Sequence, residues 1–95
     1  MQYQLRDYQV TSGAMAQFVS EWTATVVPLR KQFGFEIVGA WSNAESNRFV
    51  WIVGHEGDFE EADRSYYASP ERCAMSPNPA RLIEHAQEEF VQRAM

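Results

Sequence analysis

RFVWIVGH, residues Arg48 to His55, is the stretch on which the fold turns. Its residue types favour a strand, and alternation puts Phe49, Trp51 and Val53 on one face and Val50 and Ile52 on the other. Neither face is polar, so a sheet containing this strand needs cover on both sides. Upstream, Phe35 to Trp41 reads as a second strand and Ser42 to Asn47 as a polar turn, which makes a hairpin with Arg48 to His55. Tyr3 to Val10 is rich in strand formers, with Tyr3 and Leu5 on one face and Tyr8 and Val10 on the other.

Helical spacing separates these strands. Thr11, Ser12 and Gly13 supply a turn and a cap candidate, after which Met15, Phe18, Val19, Trp22, Val26 and Leu29 recur at steps of three and four residues. The pattern predicts an amphipathic helix of roughly 20 residues. Pro28 lies inside it and removes one helical hydrogen bond, which predicts a kink or break near Thr25, and Gly34 is the expected left-handed C-cap. A second helix is expected to open at Asp58, with Glu61 three residues on in capping-box spacing, and to run to about Ala68 before Ser69-Pro70 ends it.

At the C-terminal end local and global readings disagree. Leu82, Ile83, Ala86, Phe90 and Val91 suit a helix face behind Asn78 and Pro79. A β-α-β-β-α order lacks the fourth strand of a ferredoxin-like sheet, however, and only this segment is left to provide it, so a strand from about Leu82 to Val91 is expected.

Composition bounds the function. A chain of 95 residues, 45% hydrophobic and 14% aromatic, is enough for one domain, residues 1–95, with one core. A net charge of -5 with a single lysine, Lys31, leaves no basic stripe for phosphates, which argues against nucleic acid and anionic membrane partners. The apolar runs are far shorter than the about 20 residues of a membrane span, and no basic-then-apolar leader opens the chain, so a cytoplasmic location is expected. Cys73 stands alone, and no Cys or His pair has zinc-ligand spacing, which fits a reducing compartment and predicts no metal. Gly-rich phosphate loops and nucleophile elbows are absent, and no cofactor is expected.

Three stretches, YQLRDYQVTSG at Tyr3 to Gly13, VVPLRKQFGFEIVGAW at Val26 to Trp41, and FEEADRSYYASPER at Phe59 to Arg72, together resemble the NIPSNAP family. The most specific feature is the order Pro-Leu-Arg, Gly-Phe, Gly-Ala-Trp, which sets helix end, turn and strand in one run. The resemblance implies an α+β, ferredoxin-like βαββαβ protomer: an antiparallel sheet with helices on one face and a second protomer on the other, forming a dimeric α/β barrel. The doubly apolar strand asks for the same homodimer, since a bare apolar sheet face aggregates.

Candidate chemistry is sparse. Trp22, Trp41, Trp51, Tyr66 and Tyr67 are expected to line an apolar pocket between helices and sheet, with Arg30 available to a ligand carboxylate. The competing reading makes these aromatics core and dimer contacts. Arg6 and Arg64 are further guanidiniums, although Arg64, beside Glu60 and Glu61, is expected in a surface ion pair. His55 beside Glu56 reads as a rim histidine, and His85 is the candidate catalytic base. Three functions follow: binding of a small apolar or aromatic molecule; oxygenation without flavin or metal, because NIPSNAP proteins are similar in fold to such monooxygenases; or a structural or interaction module with no site.

Overall fold

The computed structural model describes all residues, 1–95. Strand β1 (Gln2–Val10) is followed by a helix in three parts, α1 (Met15–Glu21), a π-helical segment (Trp22–Val26) and α2 (Val27–Gln32). Strands β2 (Glu36–Asn43) and β3 (Arg48–His55) form the hairpin, then come α3 (Phe59–Ala68), the short α4 (Pro70–Cys73), a 3₁₀ turn (Pro79–Leu82) and β4 (Ile83–Val91). The sheet is antiparallel in the order β2-β3-β1-β4. This is the ferredoxin-like α+β architecture that the element order implied.

The C-terminal segment is a strand despite its helical spacing. β1 has one edge on β3, and without β4 the N–H and C=O groups of its other edge would lack protein partners. Pairing Tyr3 with Val91 through Val10 with Ile83 satisfies them, and a row of helix propensities is worth less than that ladder. β4 then forms the outer edge, and its exposed Glu84, Glu88 and Glu89 discourage further strand addition.

Near Thr25, where a kink or break is expected, the structure has a π-helical turn. Pro28 has no N–H to donate, and the chain absorbs the defect by widening the turn at Trp22–Val26 while α2 starts afresh with Pro28 in its first positions. The Thr25 hydroxyl donates to the Glu21 carbonyl at 2.7 Å. Gly34 takes φ +84°, the left-handed C-cap, and the Asp58 carboxylate accepts from the Glu61 N–H at 3.1 Å. Ser69-Pro70 does end α3, but Ser69 also caps α4, its hydroxyl accepting from Arg72 N–H.

One face of the sheet lies under the helices. Tyr8 and Val10 of β1 and Phe49, Trp51 and Val53 of β3 pack there against Met15, Phe18, Trp22, Leu29, Phe59 and Tyr66. The opposite face carries Tyr3, Leu5, Val50, Ile52 and Val91, all half-buried, with Val38 and Trp41 exposed. No helix is long and apolar enough to cross a membrane.

Candidate functional site

The helix-facing side of β1 is not uniformly apolar: the positions before Tyr8 are Gln4 and Arg6, and both are buried. Arg6 pairs across the sheet with Trp51 and is held from every side of its guanidinium. Its Nε donates to Gln4 Oε1 at 2.8 Å, Nη1 to the Tyr67 hydroxyl at 2.9 Å, and Nη2 to both carboxylate oxygens of Asp63 at 3.1 Å. Glu88 of β4 approaches Nε at 3.5 Å from the solvent side, with its side chain 53% exposed.

Arg30 reaches the same carboxylate from α2. Its Nη1 donates to Asp63 Oδ1 at 2.6 Å and its Nη2 to the Tyr67 hydroxyl at 3.3 Å. The guanidinium is 0% exposed and lies over aromatic rings, 3.9 Å from the Tyr66 centroid and 4.6 Å from that of Phe35. Asp63, Tyr66 and Tyr67 share one face of α3 because residues three and four apart are neighbours on a helix. That spacing lets one turn of α3 supply a carboxylate, an aromatic face and a phenol to two cations.

Beside this cluster a cavity of about 50 Å³ lies between helix, sheet and the 78–80 segment. Trp22, Arg30, Trp51 and Tyr66 line it, together with Tyr8, Tyr67 and Arg72. Four buried side-chain atoms lack a hydrogen-bond partner: Trp22 Nε1, Arg30 Nε, Trp51 Nε1 and Tyr66 Oη. All four belong to residues that line this cavity. Buried polar groups are paired almost without exception, so four orphans around one small void are a strong departure. Arg72 comes near the Tyr66 hydroxyl and Tyr8 near the Trp51 indole, but neither pair reaches hydrogen-bond geometry.

Burial pushes the Tyr66 phenol above its ordinary value, against the opposing pull of the Arg30 and Arg72 charges. Burial likewise raises Tyr8, opposed mainly by Arg6. Both phenols are therefore neutral donors and acceptors at neutral pH. Burial works against the Arg6 charge, yet the phenol oxygens of Tyr67 and Tyr8 and the carboxylates of Asp63 and Glu88 outweigh it and hold that cation more firmly than usual.

Of the residues expected from sequence, Trp22, Arg30, Trp51, Tyr66 and Tyr67 come together around this cavity. Trp41 does not: in β2 it pairs with Val50, so it lies on the face away from the helices, 59% exposed and folded over Gly39. His85 pairs with Gln9, also on the open face, near Asp7 and across the sheet from the cavity. Alternation along β4, which places Ala86, Glu88 and Phe90 on the helix side, takes His85 to the other. His55 is held in a turn, its Nδ1 accepting from Gly57 N–H at 2.9 Å while its ring packs on Phe35. Arg64 is exposed and forms none of the five ion pairs; its expected bridge to Glu60 or Glu61 is absent. Asp63 and Gln4 were not singled out by sequence, although an arginine and a glutamine on the inward side of β1 were the available signal for a buried carboxylate partner.

The sequence matches the family model described as NIPSNAP over residues 3–94. Among solved structures, an uncharacterized NIPSNAP domain protein from Burkholderia xenovorans is 19% identical with a TM-score of 0.84, covering 99% of this chain and 95% of that one. The protein Atu4242 from Agrobacterium tumefaciens is 24% identical with a TM-score of 0.86, over 99% of this chain and 94% of its own. An antibiotic biosynthesis monooxygenase matches over 100% of both chains at 10% identity and a TM-score of 0.72. At these identities the structural matches carry the fold alone. No curated protein matches the sequence.

Proposed function

The chain belongs to the NIPSNAP family, and on that premise we propose that it is a homodimeric protein that binds a small molecule in the cavity between helices and sheet. The single observation behind the pocket is that four unpaired buried polar atoms all belong to residues lining one void. A merely structural core fills such space with side chains and pairs its polar groups. The void also limits the occupant. Benzene occupies an engineered apolar cavity of about 150 Å³, three times the volume available here, so an aromatic ring enters only if the 78–80 segment gives way. A compact polar molecule fits as the pocket stands. Dimerisation is supported by the half-covered row of Tyr3, Leu5, Val50, Ile52 and Val91 on the open face, which a second copy would bury.

A thermal-shift screen of small polar and aromatic metabolites tests the pocket. A molecule that fits is expected to raise the transition by a few kcal/mol of stabilisation at saturation, and Trp22→Phe is expected to reduce that gain. A screen in which nothing raises the transition, with a crystal structure in which side chains fill the void, would leave an interaction module as the better reading.

Cofactor-independent oxygenation is the second reading, favoured by the presence of Trp51 and Tyr66, each with an unpaired donor, in the same cavity. Both could hold an oxygen atom of a bound substrate. His85 lies across the sheet from them, so the decisive comparison is oxygen uptake with an anthrone-type substrate by the wild type and Tyr66→Phe. Equal rates would remove Tyr66 from any such chemistry.

A further inference from the structure

We infer that the cavity is built for a small monoanion, of the carboxylate type. The inference rests on the pocket reading above and specifies its occupant. The first observation is the kind of group left unpaired. Trp22 Nε1 and Trp51 Nε1 can only donate, Arg30 Nε can only donate, and Tyr66 Oη, held neutral by burial, can donate as well. A ligand that satisfies this set must present acceptors and need bring no donor.

Charge is the second observation. Arg6 and Arg30 are both cationic and almost wholly buried, and the carboxylate they share is that of Asp63 alone. Arg6 also faces Glu88 at 3.5 Å and Arg72 stands over Tyr66 and Tyr67, so three cations meet two carboxylates around the cavity, an excess of one positive charge. One bound anion of unit charge would balance that excess.

Geometry is the third. The faces of the Arg30 guanidinium are taken by aromatic rings, each terminal nitrogen has one N–H engaged, by Asp63 or by Tyr67, and Nε is the one nitrogen with no partner at all. Arg30 can therefore offer the ligand a charged N–H from Nε, and the neutral indoles and phenol supply further donors. At about 50 Å³ the void admits a few heavy atoms, since about 10 to 15 Å³ on this measure holds one water. An acetate-sized carboxylate meets size, acceptor count and charge together. An inorganic oxyanion shares the acceptor chemistry, but phosphate carries more charge than the site lacks.

The test is an equilibrium titration of the full chain at constant ionic strength, exchanging chloride for acetate, with melting temperature and tryptophan fluorescence as readouts. Acetamide serves as the uncharged isostere and phosphate as the inorganic arm. Acetate is expected to give a saturable rise in melting temperature and a fluorescence change, acetamide neither, and phosphate a weaker effect than acetate. Trp22→Phe and Tyr66→Phe, which delete a donor and keep the ring, are each expected to weaken acetate about tenfold, the worth of a hydrogen bond to a charged group. If acetamide binds as well as acetate, the anion is wrong and the pocket stands. Phosphate binding more tightly than acetate would overturn the charge count. If none of the three probes saturates and both variants melt and fluoresce in acetate as they do in chloride, the anion inference falls; should the metabolite screen also find nothing, the pocket falls with it.

Discussion

Within β3, Phe49, Trp51 and Val53 are buried under the helices, whereas Val50 and Ile52, equally apolar and in the same strand, stay half exposed on the other side. The helix-covered face is completed by one chain, except for a small void lined by the four residues that carry unpaired donors. The open face is the reverse: an apolar row of Tyr3, Leu5, Val50, Ile52 and Val91 with nothing over it and no concentration of buried polar groups. The two kinds of incompleteness ask for different partners. Uncovered apolar area is satisfied by another apolar surface, and unpaired donors around a void are satisfied by something small that accepts.

The largest expected effect is on the covered face. Trp51→Ala removes a side chain that is 1% exposed and packs edge-on against Trp22 at 5.2 Å, so it is expected to cost about 3 to 5 kcal/mol in a denaturant melt. Because Trp51 faces the helices, sedimentation should show the association state unchanged. A melt within a degree or two of the wild type would mean that the covered face is not the core.

Asp63→Asn comes next. It leaves two buried guanidiniums without their shared carboxylate, at an expected cost of about 3 kcal/mol. Its size separates a buried ionic cluster from a surface one: Arg48 with Asp7, on the open face, is largely solvated, and Asp7→Asn is expected to change stability by less than about 1 kcal/mol.

Ile52→Arg sharpens the contrast from the other side. In the proposed dimer, a charge in the middle of the open row is expected to raise the dissociation constant more than tenfold, about 1.4 kcal/mol or more, with little change in a melt of the monomer. A wild type that sediments as a monomer at all concentrations would remove the partner copy from the open face.

The smallest effect at neutral pH lies in Tyr8 and Tyr66. Burial raises both above their ordinary 10.0, so the unfolded chain ionises first. Their contribution is whole below pH 10 and is lost as pH climbs toward the folded values, because the unfolded state then binds fewer protons than the native one. Melting temperature is expected to fall above about pH 10, and a Tyr8→Phe, Tyr66→Phe double variant should flatten that limb.

How far the sequence speaks follows the same division. Alternation in RFVWIVGH, the Asp58 cap and Gly34 are local signals with local outcomes, and each has its counterpart in the structure. β4 was legible only through topology, since its strand state depends on the free edge of β1 and its own residues favour helix. The pocket aromatics were half legible. Periodicity puts Trp22 on the apolar side of its helix and Trp51 on the Phe49 and Val53 side of its strand, but the side of the sheet that takes Trp41 or His85 depends on register and on the irregularity between Ile37 and Gly39, which no single-residue preference encodes. The meeting of Arg6, Arg30 and Asp63 joins three elements across 57 residues, and spacing says nothing of it.

The three tryptophans divide between the two faces, Trp22 and Trp51 at the cavity and Trp41 on the open side. Their indole N–H resonances in a two-dimensional nitrogen–proton spectrum therefore read both faces at once. Acetate added at constant ionic strength is expected to move the Trp22 and Trp51 signals along saturable curves and leave Trp41 in place, while dilution moves Trp41 alone. Movement of all three together in either titration, or a Trp41 signal that alone follows acetate, would contradict the assignment of a ligand to one face and a second copy of the chain to the other.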